Sequence, residues 1–291
     1  MTLLSARPYN GTAEQHANVL HRAAADAVLD LSARPSLAYL ESSVQCSSSE
    51  LREALRHACA LCVDERWCVL DEQLERDIIE TILSLAVEKE WSLSALPAVE
   101  CVSACLAGSL DTGADGEAAA AGFDELSVRH CLCSLSDQTS LDWDAWLAAP
   151  RAAHFALDPA KICCFRAKAM LSDCDSWPRE RFFEAWHDNL PTGLTPEASH
   201  LEGIAIILTA GDNASVGEDS VQALSLASLP SQPKERFAAL FGVKPTWRME
   251  ELMPYLRDIL DPGKSAQSLV LQFGRSVTAN DGSVTYVSRY S

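Results

Sequence analysis

Three groups of residues in this 291-residue sequence have types and spacings that could do chemistry. Gly263-Lys264-Ser265 has the ending of a phosphate-binding loop, in which backbone N–H groups wrap phosphate oxygens beside a lysine. Asp258 stands where the first glycine of that motif belongs, and the run follows a helical pattern instead of a strand. Without that glycine the backbone cannot curl around phosphate, so the run reads as a turn opening a helix. His187-Asp188 sets a proton acceptor beside a carboxylate, but sequence neighbours on a helix point about 100° apart, poor geometry for a relay. His187 reads as a surface or boundary residue. Cys59-x-x-Cys62, with His57 and Cys68 nearby, is half of a zinc site; with no second CxxC or HxxxH at finger spacing, these thiols are expected in the core. No seryl or thiol nucleophile sits in a recognisable elbow. The sequence reads as that of a non-enzyme with no metal and no cofactor.

What is left is binding chemistry. Trp143-Asp144-Ala145-Trp146 places two large aromatics three apart beside a loop; such residues more often complete a core, and Trp143 and Trp146 are the candidate partner-binding residues, since exposed tryptophans anchor interfaces. The chain carries 23 Lys+Arg against 41 Asp+Glu, a formal charge of -18 and a pI near 4.7, which argues against non-specific coating of nucleic acid. The charge is unevenly spread. From Ser231 to Ser291 eight basic residues face six acidic ones, a net of +2, while residues 1–230 carry -20. The longest strongly apolar run, Ile204 to Leu208, is far short of the ~20 residues of a membrane helix. The opening MTLLSARPYNGT reaches Arg7 and Pro8 before any signal-peptide core forms. Most of the 11 cysteines fall inside helical apolar patterns, which fits small buried hydrophobes in a reducing compartment.

These residues sit on a repeated arrangement of elements. Leu74, Ile78, Ile82 and Leu85 mark one face of a helix over 71–88 that begins at Asp71, after the strand-like run Trp67 to Leu70. Similar borders recur at Asp158-Pro159 and at Pro230 to Pro233. The chain divides into a flexible tail and lead-in helix (1–36), a partial helix-turn-helix (37–70) with Ser47 to Glu50 capping its second helix, and three units at 71–157, 158–230 and 231–291. The first unit holds a Gly- and Ala-rich loop at 107–122. The middle one is predicted as helices over 159–173, 178–189 and 196–208. The last reads as helices over 233–241, 250–260 and 265–275, then a hairpin turn at Asp281-Gly282.

The expected fold is therefore mainly α with small β-hairpins (α+β), built as tandem winged helix-turn-helix modules. Such a module offers its third helix to a DNA groove and its wing to the backbone. In the last unit Ala266, Leu269, Val270 and Phe273 form the inward face, so Lys264, Gln267, Gln272 and Arg275 face away. With Lys244, Arg248 and Arg289 they are the candidate DNA contacts. A transcription regulator using the same fold is the alternative; it calls for a denser Arg/Asn cluster than this face carries.

Several motifs resemble a known family. Arg236-Phe237-x-x-Leu240-Phe241, Trp247-x-x-Glu250-Glu251-Leu252-x-Pro254-Tyr255 and Tyr286-x-Ser288-Arg289 are similar to the C-terminal region of the sister chromatid cohesion protein of the Dcc family. Trp67-x-Val69-Leu70-Asp71, Trp91-Ser92-Leu93 with Pro97, Trp186 with Pro191-x-Gly193-Leu194, and Leu201-x-Gly203-x-Ala205 extend the resemblance from about Leu37 to Ser291. It implies a nuclear, non-catalytic subunit of the alternative, replication factor C-like clamp loader. The implied partners are the large and small chromosome transmission fidelity subunits, the catalytic subunit of DNA polymerase epsilon, DNA and, indirectly, the sliding clamp; no membrane is involved. Two departures stand out. Nothing before Leu37 reads as the family's N-terminal β-rich part, and Arg248 occupies the place of a small hydroxyl residue that could cap a helix.

Overall fold

A computed structural model of the chain describes residues 8–9, 34–44, 47–57, 60–63, 65–108, 123–136, 154–211, 218–260, 263–278 and 282–289. Its contacts separate residues 4–158 from residues 159–291. It is mixed helix and small sheets, the α+β class read from the sequence.

In the first unit the helices start where side chains satisfy their open N–H groups. α1 (Leu37–Ser43) begins at Ser36, whose hydroxyl accepts from the Tyr39 N–H at 3.2 Å. α2 (Ser48–His57) is opened reciprocally: the Ser47 N–H donates to Glu50 Oε2 at 2.8 Å and the Glu50 N–H to Ser47 Oγ at 3.3 Å. The Ser47 hydroxyl and then its N–H hold the Glu50 carboxyl below its ordinary pKa. β2 (Leu61–Val63) and β3 (Arg66–Leu70) pair antiparallel, and β1 (Pro8–Tyr9) runs parallel to β3 with Pro8 opposite Val69 and Tyr9 opposite Leu70. That strand corrects the reading of 1–36 as only tail and helix, because two residues are too few to show an alternating pattern. The other residues up to 33 lie outside the described residues, as does most of the 107–122 loop.

α3 (Glu72–Glu88) is capped by Asp71, whose carboxylate accepts from the Gln73 and Leu74 N–H groups at 3.0 and 3.2 Å. It buries Ile78, Ile79, Ile82, Leu83 and Ala86. Against it lie α4 (Ala98–Gly108) and α5 (Glu125–Leu135), which bring Cys101, Cys105, Val128, Cys131 and Leu132 into the core. β4 (Leu96–Pro97) pairs antiparallel with β5 (His154–Phe155), and Ser136 bridges Leu157. The buried thiols fill space: Cys68 donates to the Leu61 carbonyl at 3.6 Å and burial pushes its pKa up to about 11. Cys62 is exposed, while Cys59 and the His57 side chain lie outside the described residues.

The second unit contains two three-stranded sheets, each with its own helices, in succession. α6 (Pro159–Asp173), β6 (Ser176–Pro178) and α7 (Arg179–Asp188) lead to a 3-10 turn at Ala198–Leu201, then β7 (Ala205–Leu208) and β8 (Ser220–Ala223), in the sheet order β6-β8-β7. Phe182 and Trp186 fill this core with ring centroids 5.4 Å apart, and the indole N–H of Trp186 donates to the Cys163 carbonyl at 3.0 Å. The helix expected over 196–208 is not formed. Gly203, at φ +76°, breaks the chain out of the 3-10 turn, and Ala205-Ile206-Ile207-Leu208 is an apolar run that fits a buried strand as well as a helical face.

α8 (Pro233–Val243), β9 (Thr246–Trp247), α9 (Met249–Leu252), α10 (Ala266–Phe273), β10 (Gly274–Thr278) and β11 (Val284–Ser288) follow, with the sheet order β10-β11-β9. Again the last strand lies between the first two. The helix expected over 250–260 shortens to α9 and continues as 3-10 turns at Met253–Tyr255 and Arg257–Ile259; Pro254, which cannot donate, sits at the break. Phe237, Leu240, Trp247, Leu252, Tyr255, Val270 and Tyr286 form its core, which also takes in Ile206 and Leu208 of β7 and Leu224. The Tyr255 hydroxyl donates to the Ala205 carbonyl at 3.0 Å, and burial raises its pKa. Among the described residues no helix is long and apolar enough to cross a membrane.

Candidate functional site

α10 and the hairpin behind it carry most of the predicted contact residues. Ser265 accepts from the Ser268 N–H at 3.1 Å and starts α10, with Gly263 at φ +86° turning the chain ahead of it. The Gly263-Lys264-Ser265 run is therefore a turn and a cap. Leu269 and Val270 are buried, which rotates Gln267, Ser268 and Gln272 to the outside, with Leu271 at 37% exposure between them. β10 follows without a linker, so Arg275 lies on a strand and not on the helix expected to reach it. Gly274 makes this junction possible: a Cβ there would meet the Val287 carbonyl oxygen at 3.0 Å and Phe241 Cζ at 3.2 Å.

The hairpin places two of the cations. Arg275 pairs with Val287, and Arg289, two residues on, donates its N–H to the Phe273 carbonyl at 3.1 Å. Alternation puts Arg275 on the face of the ribbon that carries Val287, and Arg289 lies one residue past the end of β11, at a bend. Both are exposed, as is Lys264 before the cap. Arg248 is exposed too, at the N-cap of α9, where its backbone N–H donates to Glu251 Oε2 at 2.8 Å.

Lys244 is a correction to the predicted set. Its residue is 6% exposed, its ammonium donates to Glu251 Oε1 at 2.8 Å, and it lies 6.0 Å from the centre of the Trp247 ring. Glu251 thus ties α8 to the start of α9, and Lys244 is part of the scaffold. Arg236, counted by the sequence among the basic residues, is 2% exposed. It donates to the carbonyls of Pro230 at 2.6 Å and Tyr255 at 2.9 Å and pairs with Asp258. These two pairs consume two bases and two acids, so the net +2 read for 231–291 is unchanged while the outward cations become Lys234, Arg248, Arg257, Lys264, Arg275 and Arg289. Trp143 and Trp146 lie outside the described residues.

The surface can neutralise phosphates through Lys and Arg, and Gln267 and Gln272 can hydrogen-bond base edges. His187 Nδ1 lies 3.7 Å from Asp188 Oδ1, both exposed, too far for the hydrogen bond a proton relay needs. Among the described residues no group of His, Cys, Asp and Glu could hold a metal ion.

Fold and site together define an α+β protein whose candidate site is an open, positively charged surface. The model of the family described as sister chromatid cohesion protein Dcc1 matches residues 1–256. The chain belongs to that family. It is 28% identical over 259 residues to the probable sister chromatid cohesion protein DCC1 of Dictyostelium discoideum, covering 85% of this chain and 64% of that protein. It is 27% identical over 246 residues to the Danio rerio protein and 24% over 246 to the Homo sapiens one, covering 84% of this chain and 56% of each relative. The chain thus spans roughly three-fifths of the length of the curated relatives it matches. The family match begins at residue 1, upstream of the Leu37 start read from the motifs, and ends before α10 and the hairpin.

Proposed function

We propose that the chain serves sister chromatid cohesion and DNA replication in the nucleus as a non-catalytic subunit of the alternative clamp loader. It links that complex to DNA polymerase epsilon and to DNA, and so supports loading of the sliding clamp. Three stretches, 71–157, 158–230 and 231–291, are winged helices in this reading. Support comes from the sheets of 158–230 and 231–291, in each of which the last strand lies between the first two, from the β4–β5 pair and the Ser136–Leu157 bridge of 71–157, and from membership of a family named for cohesion. The large and small chromosome transmission fidelity subunits are its expected companions.

The DNA part rests on one observation: Arg275 is exposed on the hairpin that directly continues α10 and Arg289 is exposed just past its end, with Gln267, Gln272 and Lys264 exposed on and before that helix. Anisotropy of a labelled 20-base-pair duplex with the full chain, over about 50–200 mM salt, tests it. Lys264→Glu with Arg275→Glu is expected to weaken binding at least tenfold at low salt and to flatten the salt dependence by about one unit of slope per lost phosphate contact. Absence of binding at low salt, or reversals that change nothing, would end the DNA reading. The full chain is needed because the core of the last stretch includes Ile206, Leu208 and Leu224.

A further inference from the structure

One face of α8 is left open by the fold. Lys234, Phe237, Ala238, Phe241 and Gly242 follow one another at helical spacing, and with Phe273 from α10 they line a groove of about 400 Å³. That is at the small end of ligand-holding clefts, which run about 300–1,000 Å³. Its floor is aromatic. Phe237 is buried and stacks on Phe273, centroids 5.0 Å apart and planes at 19°, and on Phe241 at 6.1 Å and 28°; Phe241 and Phe273 are only partly covered.

Two features say what would fill it. Gly242 lies in the last turn of α8, one residue before its end, has no left-handed φ, and nothing comes within 4 Å of a Cβ built on it. Glycine loosens a helix relative to alanine, and no neighbour in the fold requires it here. The space above it is available to something outside the module. The second feature is charge: Lys234 is exposed and is the one charged residue among those lining the groove. Aromatic rings prefer other rings at their edges and faces, and an ammonium at the rim favours a carboxylate beside that ring.

We infer that the groove between α8 and the end of α10 receives a short peptide segment of a partner protein carrying an aromatic side chain next to an Asp or Glu. The ring enters over Ala238 and Gly242 against Phe241 and Phe273, and the carboxylate meets Lys234. Ser288 of β11, next to Arg289, also lines the groove, but the peptide site does not depend on the basic residues binding DNA.

The test is selection of random 12-residue peptides displayed on phage against the full chain, followed by affinity measurements of the selected peptides. Selected sequences are expected to converge on Phe, Tyr or Trp with Asp or Glu within two positions. Gly242→Leu should raise their dissociation constants at least tenfold with the melting temperature unchanged or higher, since it adds a better helix former into open space. Lys234→Glu, an exposed change that leaves the fold intact, should raise them about tenfold. Affinity for the 20-base-pair duplex should stay the same in Gly242→Leu. Failure of the selection to converge, convergence without an acidic neighbour, or peptides that bind both variants as well as the parent would overturn the inference. So would a Gly242→Leu chain that loses duplex binding and keeps peptide binding, which would assign the groove to DNA.

Discussion

Arg236 and Lys244 show how a basic residue near a proposed DNA surface is committed elsewhere. Each is nearly enclosed and each meets a carboxylate, Asp258 and Glu251, so their charges are balanced inside the fold. Taking one member from a fully enclosed pair costs about 3–5 kcal/mol because the other charge stays behind. Asp258 keeps 36% of its side chain exposed, and Arg236 keeps two carbonyl acceptors, so Asp258→Ala is expected to cost about 2 kcal/mol. Arg236→Met together with Asp258→Ala should recover part of that loss, since it removes the stranded guanidinium and fills its volume. Urea unfolding of the parent, both single variants and the double variant gives the coupling; a double variant no more stable than Asp258→Ala alone would show that lost carbonyl hydrogen bonds, not the charge, dominate. None of this is visible in sequence. The partners stand 22 and 7 residues apart, across turns whose path the helical periodicity does not specify.

At the scale of elements, legibility follows length and capping. α3 is readable because more than four turns carry a 3.6-residue stripe and Asp71 marks its start, and α6 because the Asp158-Pro159 border marks where it begins. β1, β4, β5 and β9, at two residues each, hold too little sequence to alternate. The boundary between α10 and β10 is set by Gly274, whose missing Cβ lets the strand turn directly under Phe241 and beside Val287. That fixes where Arg275 points, and it is why the sequence shows the basic residue but its helical pattern runs on past Phe273 to include it. Gly274→Ala is expected to destabilise the module by about 1–3 kcal/mol, the range for forcing an extra carbon into a filled site. It should also weaken duplex binding, with Lys264, Arg275 and Arg289 all still present. A variant with parental melting temperature and parental affinity would show that the junction tolerates a side chain and that the hairpin is not held by this contact.

For the second unit as a whole, the divisions suggested by charge and punctuation do not coincide with the divisions of the core. Residues 231–291 form a positively charged stretch of 61 residues, yet Ile206, Leu208 and Leu224 from the preceding stretch are buried in the same core as Phe237 and Trp247, and Tyr255 reaches the Ala205 carbonyl. Full burial of each such aliphatic side chain is worth about 1.5–3 kcal/mol, and a stretch of this size buries only about 60% of its unfolded surface. A fragment of 231–291 alone loses three of those contacts and exposes the face they covered. It is expected to show no cooperative thermal transition, whereas 159–291 should unfold in one. Leu224→Ala, which opens a cavity at the shared face, should lower that single transition by about 2–4 kcal/mol without splitting it. Far- and near-ultraviolet circular dichroism, the latter summed over Trp177, Trp186 and Trp247, should give coincident transitions. Two separate transitions, with Leu224→Ala moving only one, would mean that the halves are independent modules joined by a contact neither needs. A single transition means that a partner gripping one half is felt by the other, since neither can open alone.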